Sequence, residues 1–420
     1  MAMVVPHRIL VAPSGFKGSM GADEVAEAIA SGIRRVIPGV SISAVPIPDG
    51  GEGTARLLAQ ATGGSIRTKK VTGPVGEKIY SHYALLGGDQ KGVAVVEMAA
   101  AAGLSLVPKN LRNPAATTTY GVGELINAAL EQDDVHTILI GCGDSGTCDG
   151  GAGALAALGA KVLDADGNEL PLGGEHLENV NSLDLSEVNP RIHEVRLVMA
   201  LNQHNVLTGK DGVARVFGPQ KGATKKQVKQ LDAALTRWAD VLSDAAADHS
   251  RAADVDFFQG PGTGASGGLG AGLAVLGAEL TPRFEALIDS GLAGLNLTRE
   301  IERADLVVTA EGAIDFQTPK GKVPAEIATR AQQVGVPVLA LAGTLGKNAN
   351  MVHDSGIGAI ASIIPLPMEL SNALENGAEL LTDSTERCIR LLLMGSAMNS
   401  SIIKRHRELT AGSVPQSVGF

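Results

Sequence analysis

The sequence predicts an α/β protein of two domains, one of them a doubly wound parallel sheet built from both ends of the chain. Three observations predict this. The chain has 420 residues, which is long for one hydrophobic core. It opens with a strand–helix–strand pattern, and similar patterns return near its C-terminus. Its 53 glycines and 3% aromatic residues indicate many tight turns and a core of small aliphatic side chains.

The first elements form a strand–helix–strand unit. Residues 8–13 are predicted as a buried strand, residues 21–36 as a helix and residues 41–47 as a second strand. Glu24 stands where it can support the first turn of that helix. Apolar side chains at helical spacing share one face of it, namely Val25, Ile29, Ile33 and Val36. Such a unit implies a parallel sheet.

The C-terminal part of the chain shows the same alternation. We predict strands at 305–309, 336–341 and 358–364. The predicted helices are 323–333, 377–381 and 386–394. The simplest arrangement joins residues 1–60 and 296–420 in one discontinuous domain. Residues 61–295 then form an inserted domain of mixed strands and helices, in which Thr224 and Gln227 form a capping box.

Composition and charge exclude several classes of function. The net charge is −10 and there is no long run of Lys or Arg, so nucleic acid and anionic membranes are poor partners. The three cysteines suggest neither a disulfide framework nor a zinc site. We find no signal peptide and no apolar run that could span a bilayer. The sequence therefore predicts a cytoplasmic protein.

The segment 141–153 is rich in glycine and lies between a predicted strand, 136–140, and a predicted helix, 152–158. Backbone N–H groups at a helix N-terminus suit an anion such as phosphate. The candidate binding residues here are Gly143, Ser145, Thr147 and Asp149. A connection that serves only close packing is the alternative. A second glycine-rich segment, 260–270, contributes Gly264 and Gly267 as candidates.

Charged residues follow several predicted strands. Lys17 and Ser19 follow the first strand, where a lysine can meet a phosphate or carboxylate. Asp49 and Glu52 follow the second strand among glycines, which suits Mg²⁺ or proton transfer, with a plain turn as the alternative. The strand at 305–309 is followed by further candidates, namely Glu311, Asp315 and Lys322.

Two polar loops in the middle of the chain supply the remaining candidates. One contains Arg112 and Thr118, and the other contains Asn202 and Asn205. Loops rich in Thr and Asn are also common as simple turns. A catalytic role for the neighbouring His204 is not favoured, because a lone histidine is more often structural.

Taken together, the motifs of this chain resemble those of the glycerate kinase type 1 family. The resemblance covers residues 8–395, and the motifs come in family order. They are the segments 12–19, 49–53, 112–114, 117–121 and 217–223, followed by Glu311, Gly312, Asp315, Gln317, Thr318, Gly321, Lys322 and Pro324. One such motif would be weak, whereas this many in order indicate homology.

The resemblance implies phosphorylation of D-glycerate to 2-phosphoglycerate, with ATP and Mg²⁺. It also implies a flavodoxin-like domain, an inserted α/β domain and a site in the cleft. The expected partners are ATP and a small hydroxy acid, without nucleic acid or membrane, and a homodimer is left open. Phosphoryl transfer needs positioning and charge neutralisation, for which the clusters supply candidates.

The residue roles follow from these candidates. Lys17 and Lys322 would neutralise a phosphate or carboxylate, and Asp49 and Glu52 would bind Mg²⁺. Asp315 is the favoured base, with Asp49 and Asp149 as alternatives. The other candidates would bind substrate or nucleotide: Ser19, Arg112, Thr118, Gly143, Ser145, Thr147, Asn202, Asn205, Gly264, Gly267 and Glu311.

Three positions depart from the family pattern. Ser14 and Asn202 stand where the family has Asp, and Asp144 stands where the family has Gly. Two alternatives therefore stay open. The acceptor could be another small hydroxy acid or polyol, or the protein could bind nucleotide or metabolite without catalysis.

Overall fold

The computed structural model describes residues 5–247, 252, 254–291 and 296–411. Contacts divide the chain into two compact units. The first unit joins Met1–Ile47 to Leu297–Phe420, and the second unit is Pro48–Asn296. The first boundary thus lies earlier than the sequence analysis placed it, and residues 48–60 belong to the inserted unit.

The described chain alternates strands and helices along most of its length. The strands are β1 Arg8–Val11, β2 Ser41–Ala44, β3 Ser65–Thr72, β4 Lys78–Leu85, β5 Val93–Glu97, β6 Thr137–Gly141, β7 Lys161–Leu163, β8 Ser182–Asp184, β9 Arg196–Leu201, β10 Glu279–Pro282, β11 Leu306–Ile314, β12 Val338–Leu345 and β13 Ala359–Ser362. The helices are α1 Ala22–Val36, α2 Thr54–Thr62, α3 Met98–Ala102, α4 Tyr120–Leu130, α5 Ala152–Ala157, α6 Val213–Phe217, α7 Lys225–Ala246, α8 Ala265–Ala274, α9 Leu297–Glu302, α10 Val323–Gln333, α11 Leu370–Glu375 and α12 Gly377–Ala411.

The first unit contains a five-stranded sheet in the order β2-β1-β11-β12-β13. All four neighbouring pairs are parallel. This is the flavodoxin-like order, in which ligands collect outside the carboxyl ends of the strands. The prediction of a doubly wound sheet built from both chain ends is confirmed.

Helix α1 shows how local sequence and packing agree in this unit. Its apolar face is buried at Val25, Ile29 and Ile33. The backbone N–H of Gly21 donates to Glu24 Oε2 at 2.9 Å, as expected of an acid in the first turn. A Cβ on Gly32 would lie 2.7 Å from the Thr385 Cβ, so α1 and α12 can pack closely only with glycine there.

Two predicted element boundaries in this unit were wrong. The helices predicted at 377–381 and 386–394 form one helix, α12, because residues 382–385 contain neither Gly nor Pro to end it and their hydroxyls find acceptors within the helix. Thr382 and Thr385 donate to the carbonyls of Ala378 and Leu381. Strand β11 continues past residue 309, because it pairs with β12 as far as Ile314.

The second unit contains a six-stranded mixed sheet in the order β3-β4-β5-β6-β9-β10. Strands β5, β6, β9 and β10 run parallel, whereas β4 runs antiparallel to both of its neighbours, β3 and β5. Helix α7 begins with the expected capping box at Thr224 and Gln227. It buries Trp238 completely. The inserted mixed α/β domain is confirmed.

Among the residues that the structure describes, no helix combines the length and the apolar character needed to cross a membrane.

Candidate functional site

In the first unit, the loop after β1 lies beside the middle of β11. A Cβ on Gly312 would lie 3.7 Å from both the Lys17 N and the Phe16 Cα. Ser14 is buried, and its hydroxyl donates to the Ala310 carbonyl at 3.1 Å. An ionised carboxylate, which has no donor, could not make that bond. Lys17 is exposed.

Three charged residues of β11 and the following loop form one cluster, which we call the β11 cluster. Lys322 Nζ lies 3.4 Å from Glu311 Oε1 and 3.7 Å from Asp315 Oδ1. These side chains are 18–25% exposed. Glu311 lies within β11 and not after it. The three residues, which the sequence analysis grouped after the strand at 305–309, thus lie close together in the structure.

The charge of the β11 cluster differs from the expectation for an anion site. Two carboxylates face one ammonium group, so the cluster is formally negative. The geometry therefore suits Lys322 to holding Asp315 in place better than to neutralising a phosphate. Asp315 Oδ1 also accepts the N–H of Gln317 at 2.8 Å.

Ser19 stands apart from the β11 cluster in its contacts. Its hydroxyl donates to the Leu374 carbonyl at the end of α11, at 2.9 Å. A Cβ on Gly377 would lie 2.8 Å from this hydroxyl oxygen. The structure gives Ser19 a packing contact at the α11–α12 junction.

In the second unit, the loop 48–53 packs against the carboxyl end of β6 through glycine. A Cβ on Gly143 would lie 2.5 Å from the Gly51 Cα, and one on Gly141 would lie 2.6 Å from the Gly50 carbonyl oxygen. Neither position tolerates a side chain. This contact places the Asp49 loop next to the first part of segment 141–153.

Two carboxylates flank Gly51. Its N–H donates to Asp49 Oδ1 at 2.9 Å, and the N–H of Glu52 donates to Asp144 Oδ2 at 3.2 Å. A Cβ on Gly51 would contact both Asp144 and Asp49. Asp144 adopts a left-handed backbone with φ of 55°, which Asp tolerates better than most residues. Asp144, absent from the family pattern, thus joins the predicted Asp49 and Glu52.

The donor set here fits Mg²⁺ only in part. Within the described ranges, no group of three or more His, Cys, Asp or Glu side chains is arranged to hold a metal ion. Mg²⁺ usually takes one or two protein carboxylates together with substrate phosphates and water. The pair Asp49 and Asp144 fits that smaller requirement.

Glu97 is a functional candidate that the sequence analysis missed. It ends β5, is only 1% exposed and accepts hydrogen bonds from the N–H groups of Ala55 and Gly53. It thereby caps α2, whose own N-cap residue is Gly53. Burial, with Glu52 and Asp49 nearby, raises the pKa of Glu97 to about 7, although both N–H groups oppose this. The sequence does contain a signal for this residue, because an acidic residue directly follows a run of apolar residues.

Replacing Glu97 with Gln should flatten the pH dependence of stability. The folded state holds the Glu97 proton more tightly than the unfolded chain does. This contribution is therefore complete below the unfolded pKa and is lost as the pH rises through about 7. The loss by pH 8 is on the order of 3 kcal/mol. Urea midpoints from about pH 4 to pH 8 measure it, since the loss begins at the unfolded pKa.

The control for this experiment is the exposed Glu175 of the same unit. Glu175→Gln should follow the wild-type slope, with the midpoint falling as the pH rises. If Glu97→Gln shows that same slope, Glu97 does not titrate in this range.

Asp149 is an anchor of the segment 141–153 and not an accessible base. It is fully buried. Its Oδ2 accepts the N–H and the hydroxyl of Thr119 at 2.7 and 2.8 Å, and also contacts the Thr118 hydroxyl at 3.5 Å. The N–H groups of Gly151 and Gly153 donate to the same carboxylate. Burial raises the pKa of Asp149, and these bonds oppose it.

The later part of segment 141–153 does not offer the expected cradle of N–H groups. Those of Gly146, Cys148 and Gly150 donate to backbone carbonyls, and those of Gly151 and Gly153 donate to Asp149. Helix α5 has only six residues, so its dipole is small. The close-packing alternative describes this part, whereas Gly143 and Ser145 stay half-buried.

Segment 260–270 also serves packing at its candidate positions. Gly264 and Gly267 are buried. A Cβ on Gly264 would contact the Val206 carbonyl, and one on Gly267 would contact the Thr147 carbonyl. Asn205 accepts the Gly264 N–H through its backbone carbonyl at 3.1 Å. Asn202 Oδ1 accepts the His204 N–H at 3.0 Å, which is a local turn contact.

Lys221 is the second residue that sequence reasoning left out of the site. It is 3% exposed, and its Nζ donates to Ser145 Oγ and to the Thr147 carbonyl, each at 2.7 Å. Burial lowers the pKa of Lys221, and the nearby Cys148 and Asp149 oppose this. The lysine lies in segment 217–223, one of the motifs that resemble the family, and this position in a motif could have marked it as a candidate.

Arg112 lies near this lysine. A Cβ on Gly222 would lie 2.8 Å from the Arg112 Cβ. The buried Arg112 Nε and the buried Thr147 hydroxyl have no hydrogen-bond partner among the described residues. Polar groups of this kind are costly to bury without a partner. Arg112 and Thr147 therefore remain candidates for binding a ligand.

Comparisons with known proteins point to one family. A model of the glycerate kinase family matches residues 9–393. The chain is 42% identical to a glycerate kinase of Halalkalibacterium halodurans, over 94% of this chain and 100% of that protein. It is 41% identical to the glycerate 2-kinase of Escherichia coli K12, over 92% and 98% of the two chains.

A solved structure agrees with these matches. The crystal structure of a “putative glycerate kinase 2” from Salmonella typhimurium LT2 aligns with a TM-score of 0.74 and 39% identity. The alignment covers 94% of this chain and 100% of that one.

Proposed function

This chain belongs to the glycerate kinase family, and from that premise we propose that it transfers the γ-phosphoryl group of ATP to D-glycerate, giving 2-phosphoglycerate and ADP. One observation carries the proposal: the family match spans residues 9–393. The E. coli relative named a glycerate 2-kinase supports the position of transfer. The chain is accordingly a kinase.

The proposed reaction forms one bond and breaks one. The 2-hydroxyl oxygen of glycerate attacks the γ-phosphorus, the bond from that phosphorus to the bridging oxygen breaks, and ADP leaves. The hydroxyl proton passes to a carboxylate. Catalysis of this kind depends mainly on positioning and on charge stabilisation.

We assign Asp315 as the carboxylate that orients the hydroxyl and accepts its proton. Support comes from the β11 cluster, where Lys322 lies 3.7 Å from Asp315 Oδ1. This contact fixes the direction of the Asp315 carboxylate. Asp149 is left out of this role, because it is fully buried and already accepts several hydrogen bonds.

We assign Asp49 and Asp144 as the residues that would hold Mg²⁺, with Glu52 acting directly or through water. Both Asp carboxylates border Gly51. When bound, Mg²⁺ would neutralise phosphate charge during transfer.

Cationic and hydroxyl groups would bind the anionic parts of the substrates. The proposed cations are the exposed Lys17 and Arg112, whose buried Nε has no hydrogen-bond partner in the part of the chain that the structure describes. Ser145 and Thr147 are the proposed hydroxyl donors. The three cysteines are free, which agrees with the reducing cytoplasm that we propose as its compartment. The homodimer stays a prediction.

The proposal is tested by coupled ADP release with purified protein. Turnover should require ATP, Mg²⁺ and D-glycerate together, and the product should be 2-phosphoglycerate by NMR. Glycerol and other small hydroxy acids serve as comparison acceptors. Equal turnover in excess chelator would contradict the metal assignment, and a strong preference for another acceptor would contradict glycerate.

A further inference from the structure

Lys221 brings a charged group into the interior of the second unit. Its side chain ends at two oxygen atoms of segment 141–153, the Ser145 hydroxyl and the Thr147 carbonyl, each 2.7 Å away. A buried ammonium costs free energy unless its surroundings compensate. This cost indicates that the lysine has a role beyond packing, and its contact with Ser145 is the basis for inferring that role.

The contact fixes the direction of the Ser145 hydroxyl. Lys221 has donors and no acceptor, so the Ser145 oxygen accepts from it and the Ser145 proton must point elsewhere. Across the described ranges, no protein group accepts that proton. Ser145 is half-buried, so a ligand could reach it.

The backbone at Ser145 is held as well. The N–H of Leu104 donates to the Asp144 carbonyl, and the N–H of Gly146 donates to the Ala102 carbonyl, both at 2.8 Å. Ser145 thus pairs with Gly103 across a short bridge. A donor fixed by both backbone and side chain loses little entropy when it binds a ligand.

We propose that Lys221 is a positioning residue, which orients the Ser145 hydroxyl as a hydrogen-bond donor to an anionic oxygen of a substrate. Two sources supply such an oxygen, the carboxylate of glycerate and the phosphates of ATP. The inference rests on the proposed function for the identity of these substrates. The ammonium also polarises the hydroxyl, which strengthens its donation.

A double-mutant cycle tests the inference. Ser145→Ala and Lys221→Met should each lower kcat/KM about 10- to 100-fold, the range for a hydrogen bond to a charged group. The double variant should be within about twofold of Ser145→Ala alone, because Lys221 acts through Ser145. If the two losses simply multiply, Lys221 does not act through Ser145 and the proposal is overturned.

Calorimetry identifies the ligand and needs no turnover. D-glycerate and MgADP are titrated separately into the wild type and each variant. Weaker binding of glycerate alone assigns Ser145 to the carboxylate, and weaker binding of MgADP alone assigns it to a phosphate. Unchanged binding of both ligands by folded Ser145→Ala overturns the proposal, even if glycerate-dependent ADP release in the wild type has failed. A wild type that binds neither ligand overturns it too.

Thr117→Val is the matched control. The Thr117 hydroxyl donates to the Gly146 carbonyl at 3.0 Å, so it ties down the same segment without touching Ser145. Its effect should be the same with and without Ser145→Ala. If Lys221→Met does not fold, Lys221→Gln takes its place in the cycle. Coupling of Thr117 equal to that of Lys221 would mean a general packing role and would overturn the proposal.

Discussion

Lys322→Met is expected to lower kcat at least about a hundredfold, while the protein stays folded. The ammonium lies 3.4 Å from Glu311 and 3.7 Å from Asp315. Without it, Asp315 loses the ion pair that holds its carboxylate in one direction, and the carboxylate can turn away from the hydroxyl. A misplaced catalytic group costs roughly 2–4 kcal/mol in the transition state.

The matched control is Lys320→Met, in the same loop. Lys320 is exposed, and its ammonium lies 6.0 Å from the centroid of the Phe316 ring. This variant should keep the wild-type kcat. Steady-state ADP release with both substrates saturating separates kcat from KM, and thermal unfolding checks the fold. A folded Lys322→Met protein with near wild-type kcat would remove the β11 cluster from the proposed chemistry.

Asp149→Ala is expected to destabilise the second unit by about 3 kcal/mol or more. The substitution leaves the N–H and hydroxyl groups of Thr119 and the N–H groups of Gly151 and Gly153 without their acceptor. A buried donor without a partner costs about 1–3 kcal/mol. Because the position is fully buried, these donors are not solvated by bulk water as they would be at the surface.

Two comparison variants make this result specific. Asp149→Asn keeps one acceptor oxygen and should lose less stability. Asp164 also accepts backbone N–H groups, those of Asp166 and Asn168, but at the surface. Asp164→Ala should therefore lose far less, because water replaces the carboxylate. Urea unfolding of the three variants measures the order. Equal losses for Asp149→Ala and Asp164→Ala would show that burial does not set the cost.

Much of the fold could be predicted because its signals are local. The apolar face of α1 and the capping box of α7 are patterns within a few residues, and both are present in the structure. The parallel sheet of the first unit follows from repeated strand–helix alternation. The family, too, could be identified from short motifs in a fixed order.

The candidate site was predictable only in part, because burial of a polar group depends on distant segments. Asp149 is of a residue type that often acts as a catalytic acid or base. In the structure, however, its carboxylate accepts hydrogen bonds from Thr119 and two glycines. Gly264 and Gly267 lie in a glycine-rich segment of the kind that binds phosphate. In the structure, however, carbonyl groups of other loops approach both glycines closely. Sequence composition cannot separate these cases, since donors for a ligand and donors for the protein are the same groups.

By itself, the sequence determined the class of fold, the family and the chemical types of residue near the strand ends. Only the tertiary structure decided which of those residues are partnered. In the folded chain, Lys322 forms ion pairs with two carboxylates, and Glu97 accepts a hydrogen bond from the N–H of Gly53 in the loop that carries Asp49. Lys221 is buried and donates to Ser145. The physical reason is the range of the interactions. Helix and strand preferences act over a few residues, whereas desolvation and hydrogen-bond partners are set by segments far apart in the chain, 76 positions for Lys221 and Ser145 and 296 for Ser14 and Ala310.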